Sequence, residues 1–155
     1  LGRVVFQRSS EIYNQDGDLF LFFVKGSASL LAVILVPALI LFVWAPELFS
    51  WIFGSEWREA GVYARWLVLW IAVVFINLPS GSCATILRQQ RNLLIYQCLL
   101  LVSRASVLIL GGLYLKPLTT IIAFSVLGAF MNLSFFMWVG SLLYAKRIRT
   151  AKSVN

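Results

Sequence analysis

The residue with the clearest chemical potential is Arg104, which lies at the centre of an apolar run. The run extends from Leu93 to Leu115, with eleven residues on each side of Arg104 and no carboxylate within it. A helix over this run would hold Arg104 roughly 16 Å from either end, beyond the comfortable reach of an arginine side chain to the membrane surface. Because a charged group in hydrocarbon is costly, Arg104 should face a water-filled cavity, a buried acid or an anionic ligand.

Two interpretations of Arg104 therefore remain open. Its planar fork of N–H donors suits phosphate in particular, which favours a cavity or ligand role. A structural ion pair with an acid on a helix outside this sequence is the alternative.

Four other polar side chains inside apolar runs are weaker candidates for lining a substrate path. Arg65 and Lys25 lie within one or two helical turns of the ends of their runs, so contact with lipid headgroups also explains them. Asn77 and Gln97 could hydrogen-bond cargo, although bonding between helices is the more frequent role of such residues.

Two prolines are candidates for helix kinks. Pro37 and Pro79 each remove a backbone hydrogen bond from a predicted helix. Small polar residues surround Pro79 in the stretch 77–82, which favours a local break there. Broken helices are typical of the bends and binding sites of transporters, and tolerated packing is an equal alternative.

The sequence gives no sign of an enzyme. It contains no histidine, so the commonest general base and the commonest transition-metal ligand are both missing. Cys83 and Cys98 lie in apolar segments, where cysteine behaves as a small hydrophobe. We therefore predict no catalytic residue, no metal site and no cofactor.

Composition indicates an all-α integral membrane protein. Hydrophobic residues make up 61% of the chain and charged residues only 12%, against about 25% charged in soluble domains. Four runs reach the ~20 residues that a bilayer requires, at about 19–45, 63–87, 93–115 and 118–145. The connecting segments are predicted at 46–62, 88–92 and 116–117, and the last two are so short that they predict antiparallel hairpins. Residues 1–18 are interpreted as a cytoplasmic leader, the end of an upstream helix plus a loop, and 146–155 as a basic cytoplasmic tail.

Charge sets the expected orientation. The net charge is +7, but the basic residues lie between apolar runs, so membrane topology explains them better than nucleic acid does. Both chain ends are predicted to be cytoplasmic, because eight of the basic residues lie on that side and two on the other. The eight are Arg3, Arg8, Arg88, Arg91, Lys146, Arg147, Arg149 and Lys152.

The segment 45–65 carries Phe53-Gly54, then Glu56-Trp57 and Ala60-Gly61. This pattern resembles a turn of bacterial polysaccharide biosynthesis proteins. Pro37 before the turn, and Leu78-Pro79-Ser80 and Arg88-Gln89-Gln90-Arg91 after it, are further similarities. At the leader, Gln7-Arg8 replaces the aromatic-proline pair usual in the family. These relatives are O-antigen and exopolysaccharide flippases of the multidrug/oligosaccharidyl-lipid/polysaccharide exporter superfamily.

The resemblance implies a C-terminal fragment, as does a chain that begins at Leu1. The four helices would belong to a larger two-lobed MATE-like bundle in the bacterial cytoplasmic (inner) membrane, with the missing N-terminal helices and membrane lipids as partners. The implied cargo is an undecaprenyl-diphosphate-linked oligosaccharide, flipped by alternating access. Alternatives are a drug or lipid II exporter of the same superfamily, a membrane-embedded glycan polymerase, and a non-transporting scaffold.

Overall fold

The computed structural model describes residues 18–153, and almost all of them are helical. The helices are α1 (Leu19–Phe53), α2 (Arg58–Ile76), α3 (Leu78–Ile86), α4 (Gln90–Tyr114) and α5 (Pro117–Ser153), with a short 3-10 turn at Ser55–Trp57. Four stretches are long and apolar enough to span a membrane, at Leu19–Phe53, Ser55–Ile86, Gln90–Tyr114 and Pro117–Arg149. This confirms the all-α class and the four predicted candidate spans. Residues 1–17 of the predicted leader, and residues 154–155, lie outside the described part of the chain.

The first span is longer than predicted. The Asp18 carboxylate caps its start by accepting hydrogen bonds from the backbone N–H groups of Phe20 and Leu21, at 3.1 and 3.2 Å. The helix runs through Pro37 without interruption, continues past the predicted end at residue 45, and passes Pro46 to end at Phe53. Gly54 follows with φ +105°, a backbone conformation that side-chain-bearing residues rarely adopt. Much of the segment predicted as a connecting loop is therefore helical.

The second span is interrupted close to the predicted position. Its first part, α2, ends at Ile76, and α3 begins at Leu78 after a single turn residue, Asn77. Pro79 occupies the first turn of α3, where a missing N–H costs no helical hydrogen bond. The break therefore falls two residues before this proline.

A small hydrophobic core joins α1, α3 and α5. The rings of Phe23 and Phe136 lie 4.8 Å apart between centroids. Close contact between α1 and α2 depends on Gly61, since a Cβ at this position would lie 2.5 Å from the carbonyl oxygen of Ala45. The buried core residues are Leu19, Phe23, Cys83, Ala84, Phe135, Val139 and Leu143.

The basic stretch predicted as a tail continues helix α5 and contacts the start of α1. Nε of Arg147 lies 2.9 Å from a carboxylate oxygen of Asp18. The same guanidinium lies over the Phe20 ring, 5.6 Å from its centroid. The beginning of the first span and the end of the last therefore meet.

Candidate anion site around Arg104

Arg104 lies midway along α4 and contacts aromatic rings from two other helices. Its guanidinium carbon is 3.7 Å from the ring centroid of Trp70 on α2 and 3.8 Å from that of Phe124 on α5. The two ring planes are 75° apart, with centroids 5.7 Å from each other. They therefore form a corner, named here the aromatic corner, and the positive charge lies inside it. Such contacts are favourable because the ring faces carry negative charge density.

The same cluster contains hydrogen-bond donors that have no acceptor. Nε and Nη2 of Arg104 are buried and make no hydrogen bond. The indole Nε1 of Trp70 is also buried and makes no hydrogen bond. Nε and Nη2 share one edge of the planar guanidinium, the arrangement that binds two oxygens of a carboxylate or phosphate at once. The side chains of Arg104, Trp70 and Phe124 contribute no conventional acceptor of their own. The cluster is therefore suited to an acceptor-rich anion.

Within residues 18–153, no carboxylate pairs with Arg104. The carboxylates lie near helix ends instead, where Glu47 pairs with Arg58 at 3.1 Å and Asp18 pairs with Arg147. Glu59 accepts a hydrogen bond from the Tyr63 hydroxyl at 2.9 Å. A structural ion pair for Arg104 would need an acid from outside the described residues.

Gly128 allows Trp70 to reach its place beside α5. A Cβ at Gly128 would lie 2.9 Å from Cδ1 of Trp70 and 3.3 Å from its Nε1. Any larger residue at 128 would have to displace the indole ring. Glycine at this position therefore supports the aromatic corner without touching Arg104.

The other predicted path residues do not join Arg104. Arg65 donates a hydrogen bond from Nη2 to the backbone carbonyl of Val43, at 2.8 Å, and so links α2 to α1. Lys25 and Gln97 are exposed on α1 and α4. In the described part of the chain, no hydrogen bond, ion pair or ring contact connects any of these three to Arg104.

Asn77, the fifth candidate, is buried at the break between α2 and α3. Its Nδ2 donates to the backbone carbonyl of Asn132 on α5, at 3.1 Å. The Asn132 amide in turn donates to the carbonyl of Gly128 at 2.8 Å. Asn77 therefore hydrogen-bonds a neighbouring helix, which is the more frequent role of polar residues inside membrane spans.

An apolar groove lies between α4 and α5, with a volume of about 580 Å³. The Tyr96 ring stacks on Phe135 in its wall, with centroids 4.3 Å apart. The Tyr96 hydroxyl is buried and has no hydrogen-bond partner. The lining residues are Asn92, Ile95, Tyr96, Leu99, Phe130, Met131, Ser134, Phe135 and Trp138.

Sequence reasoning identified Arg104 and missed the side chains that hold it. Trp70 and Phe124 are 34 and 20 residues away along the chain, and both read as ordinary members of apolar runs. Gly128 carried only a general signal for close helix packing. Only the helix packing reveals that Trp70 and Phe124 contact one cation and that Gly128 contacts Trp70.

The described residues form an all-helical structure with four candidate membrane spans and a half-buried arginine, whose Nε and Nη2 atoms are buried and which has no acidic partner among these residues. No protein-family model, curated protein or solved structure matches this chain.

Proposed function

We propose that this chain forms part of a membrane transporter that flips lipid-linked oligosaccharide across the bacterial cytoplasmic membrane by alternating access. The cargo would be an undecaprenyl-diphosphate-linked repeat unit for O-antigen, capsule or exopolysaccharide. The observation that carries the proposal is the buried, unpartnered Nε–Nη2 edge of Arg104 midway along a candidate span. The resemblance of segment 45–65 to polysaccharide flippases supplies the cargo class.

The chemistry of the cargo fits this site. A diphosphate cannot cross hydrocarbon unaided, so its path must offer compensating charge and hydrogen bonds. Arg104 offers a fixed positive charge and two parallel donors, which match two phosphate oxygens. The polyprenyl chain would stay in lipid during the transfer.

We also propose that the spans run antiparallel with both ends cytoplasmic, within a larger two-lobed bundle. The order of contacts supports this: residue 26 on α1 approaches residue 79, whereas residue 45 approaches residue 61. The pair between Asp18 and Arg147 supports placing the two ends on one side. Large apolar side chains exposed along α4, among them Leu101, Ile109 and Leu113, are suited to contact lipid or further helices.

The test uses the full-length gene carrying Arg104→Ala or Arg104→Lys, in a strain that lacks its own flippase. Surface polysaccharide and the lipid-linked oligosaccharide retained on the cytoplasmic face are both quantified at matched protein abundance. We expect Arg104→Ala to lose surface glycan and accumulate precursor. Arg104→Lys should recover part of the activity, because it restores charge without the bidentate fork.

A structural role for Arg104 is the competing proposal, and the aromatic corner is the observation that favours it. Two ring faces already stabilise the cation, so the contact could simply lock α4 to α2 and α5. In that case Arg104→Ala would lower protein abundance while the protein that remains transports normally. If deletion of the whole gene left surface glycan unchanged, the flippase proposal itself would be wrong.

A further inference from the structure

We infer that Trp70 and Phe124 are positioning residues for anion binding, which hold the Arg104 guanidinium in place with its Nε–Nη2 edge unpaired, so that this edge can bind a diphosphate when the site opens. This inference rests on the proposed function and adds to it the residues that set the geometry of the cation. It concerns the ring faces of the aromatic corner, at 3.7 and 3.8 Å from the guanidinium carbon.

Carboxylates and aromatic rings stabilise an arginine in different ways. A carboxylate stabilises the buried charge, but it occupies the N–H donors that a ligand would need. An aromatic face also stabilises the charge, yet it leaves the donors in the guanidinium plane available. Arg104 contacts two rings, and at most one of them can lie parallel to the guanidinium plane because the rings are 75° apart. Neither ring supplies a conventional acceptor, so both donors of the Nε–Nη2 edge remain without a hydrogen bond.

Geometry adds orientation to this stabilisation. The two rings are 75° apart, so they confine the guanidinium from two different directions. A long side chain confined in this way loses less conformational freedom when a ligand binds, and the affinity rises accordingly. The aromatic corner therefore prepares Arg104 for binding before any ligand arrives.

Gly128 offers a way to disturb the corner without altering any of its three members. Gly128→Ala places a methyl group against the Trp70 indole, at distances of 2.9 to 3.3 Å. Gly112→Ala is the matched control, because a Cβ at Gly112 meets nothing within 4 Å. Both changes replace glycine by alanine inside a candidate span.

The experiment measures binding of farnesyl diphosphate to the full-length protein in lipid nanodiscs, with farnesol as the probe that lacks phosphate. Trp70 is replaced by tryptophan carrying one, two or three fluorine atoms, which weaken the charge on the ring face while nearly preserving its shape. The same series at Trp66 is the control, since that ring meets Phe42 edge-on with centroids 6.2 Å apart.

We expect affinity for farnesyl diphosphate to fall stepwise with each fluorine at Trp70, to roughly fivefold weaker with three, and to stay unchanged in the Trp66 series. Gly128→Ala should weaken binding several-fold and Gly112→Ala should not. Normal binding across the Trp70 series, with binding lost in Arg104→Met, would overturn the positioning role and leave the proposed function standing. If the unmodified protein binds farnesyl diphosphate no better than farnesol, the proposed function is overturned and the positioning role with it.

Discussion

Two arginines near helix ends, Arg58 and Arg147, and the arginine in mid-span are held in opposite ways. Arg58 pairs with Glu47 at 3.1 Å, with 62% and 54% of the two side chains exposed. Arg147 pairs with Asp18 at 2.9 Å. Arg104 has two aromatic rings and, among the described residues, no acid. Carboxylates thus accompany Arg58 and Arg147, which water could solvate anyway, and the described helices supply none to Arg104.

The free energies of the charged groups also differ between the helix ends and the middle of the span. An exposed ion pair contributes only about 0 to 1 kcal/mol, because solvent already stabilises both charges. A cation in mid-membrane costs several kcal/mol unless something offsets it, and aromatic faces offset only part of that cost. We therefore expect the two regions to respond very differently to substitution.

The largest difference should appear when the two arginines are neutralised in parallel. Arg104→Met should weaken farnesyl diphosphate binding roughly 10- to 100-fold, since bonds to a charged group contribute about 1.5 to 3 kcal/mol. Arg58→Met should change binding less than about twofold. Titrations in nanodiscs measure both. Equal losses in the two variants would show that general positive charge, and not this site, attracts the anion.

A smaller effect should follow if Arg104 is given the acid that the described helices do not supply. Leu100 lies one helical turn before Arg104, and a glutamate four residues earlier is well placed to pair with an arginine. Leu100→Glu should therefore occupy the free edge and weaken probe binding about fivefold, equivalent to ~1 kcal/mol. Leu100→Gln is the control of equal size, and a matching loss in that variant would assign the effect to altered packing.

The smallest effect should come from breaking the pair at the helix end. Glu47→Gln removes the partner of Arg58 and should lower the free energy of unfolding by less than ~1 kcal/mol. Denaturation in detergent gives this value, and binding of farnesyl diphosphate should be unaffected. A loss of several kcal/mol would mean that this pair is shielded from water in the assembled membrane protein. The surroundings of Arg58 and Arg104 would then differ less in their exposure to water.

Local sequence signals predicted the spans well because length and hydropathy are local properties. The break near Pro79 was predictable for the same reason, since the proline and its small polar neighbours are adjacent in the chain. The extension of α1 past residue 45 was not, because Pro46 is normally read as a stop. There, the absence of a Cβ at Gly61 lets α2 pack directly on the backbone of α1.

The candidate site was only half predictable from sequence. Arg104 is conspicuous because one charge interrupts a long apolar run. Trp70 and Phe124 carry no such signal, because an aromatic residue in a membrane span is unremarkable until its neighbours are known. The contact joins three helices. The residue pattern of one helix does not show which face of another helix it will contact.

One consequence of the aromatic corner concerns the energy source of the proposed transport. A guanidinium stays protonated at any physiological pH, and indole and phenyl rings do not titrate. In the proposed alternating-access cycle, the cluster of Arg104, Trp70 and Phe124 would therefore carry the same charge on either side of the membrane, whatever the pH difference between the two sides. A proton gradient has nothing to act on at this cluster, so any coupling to protons must act through other residues.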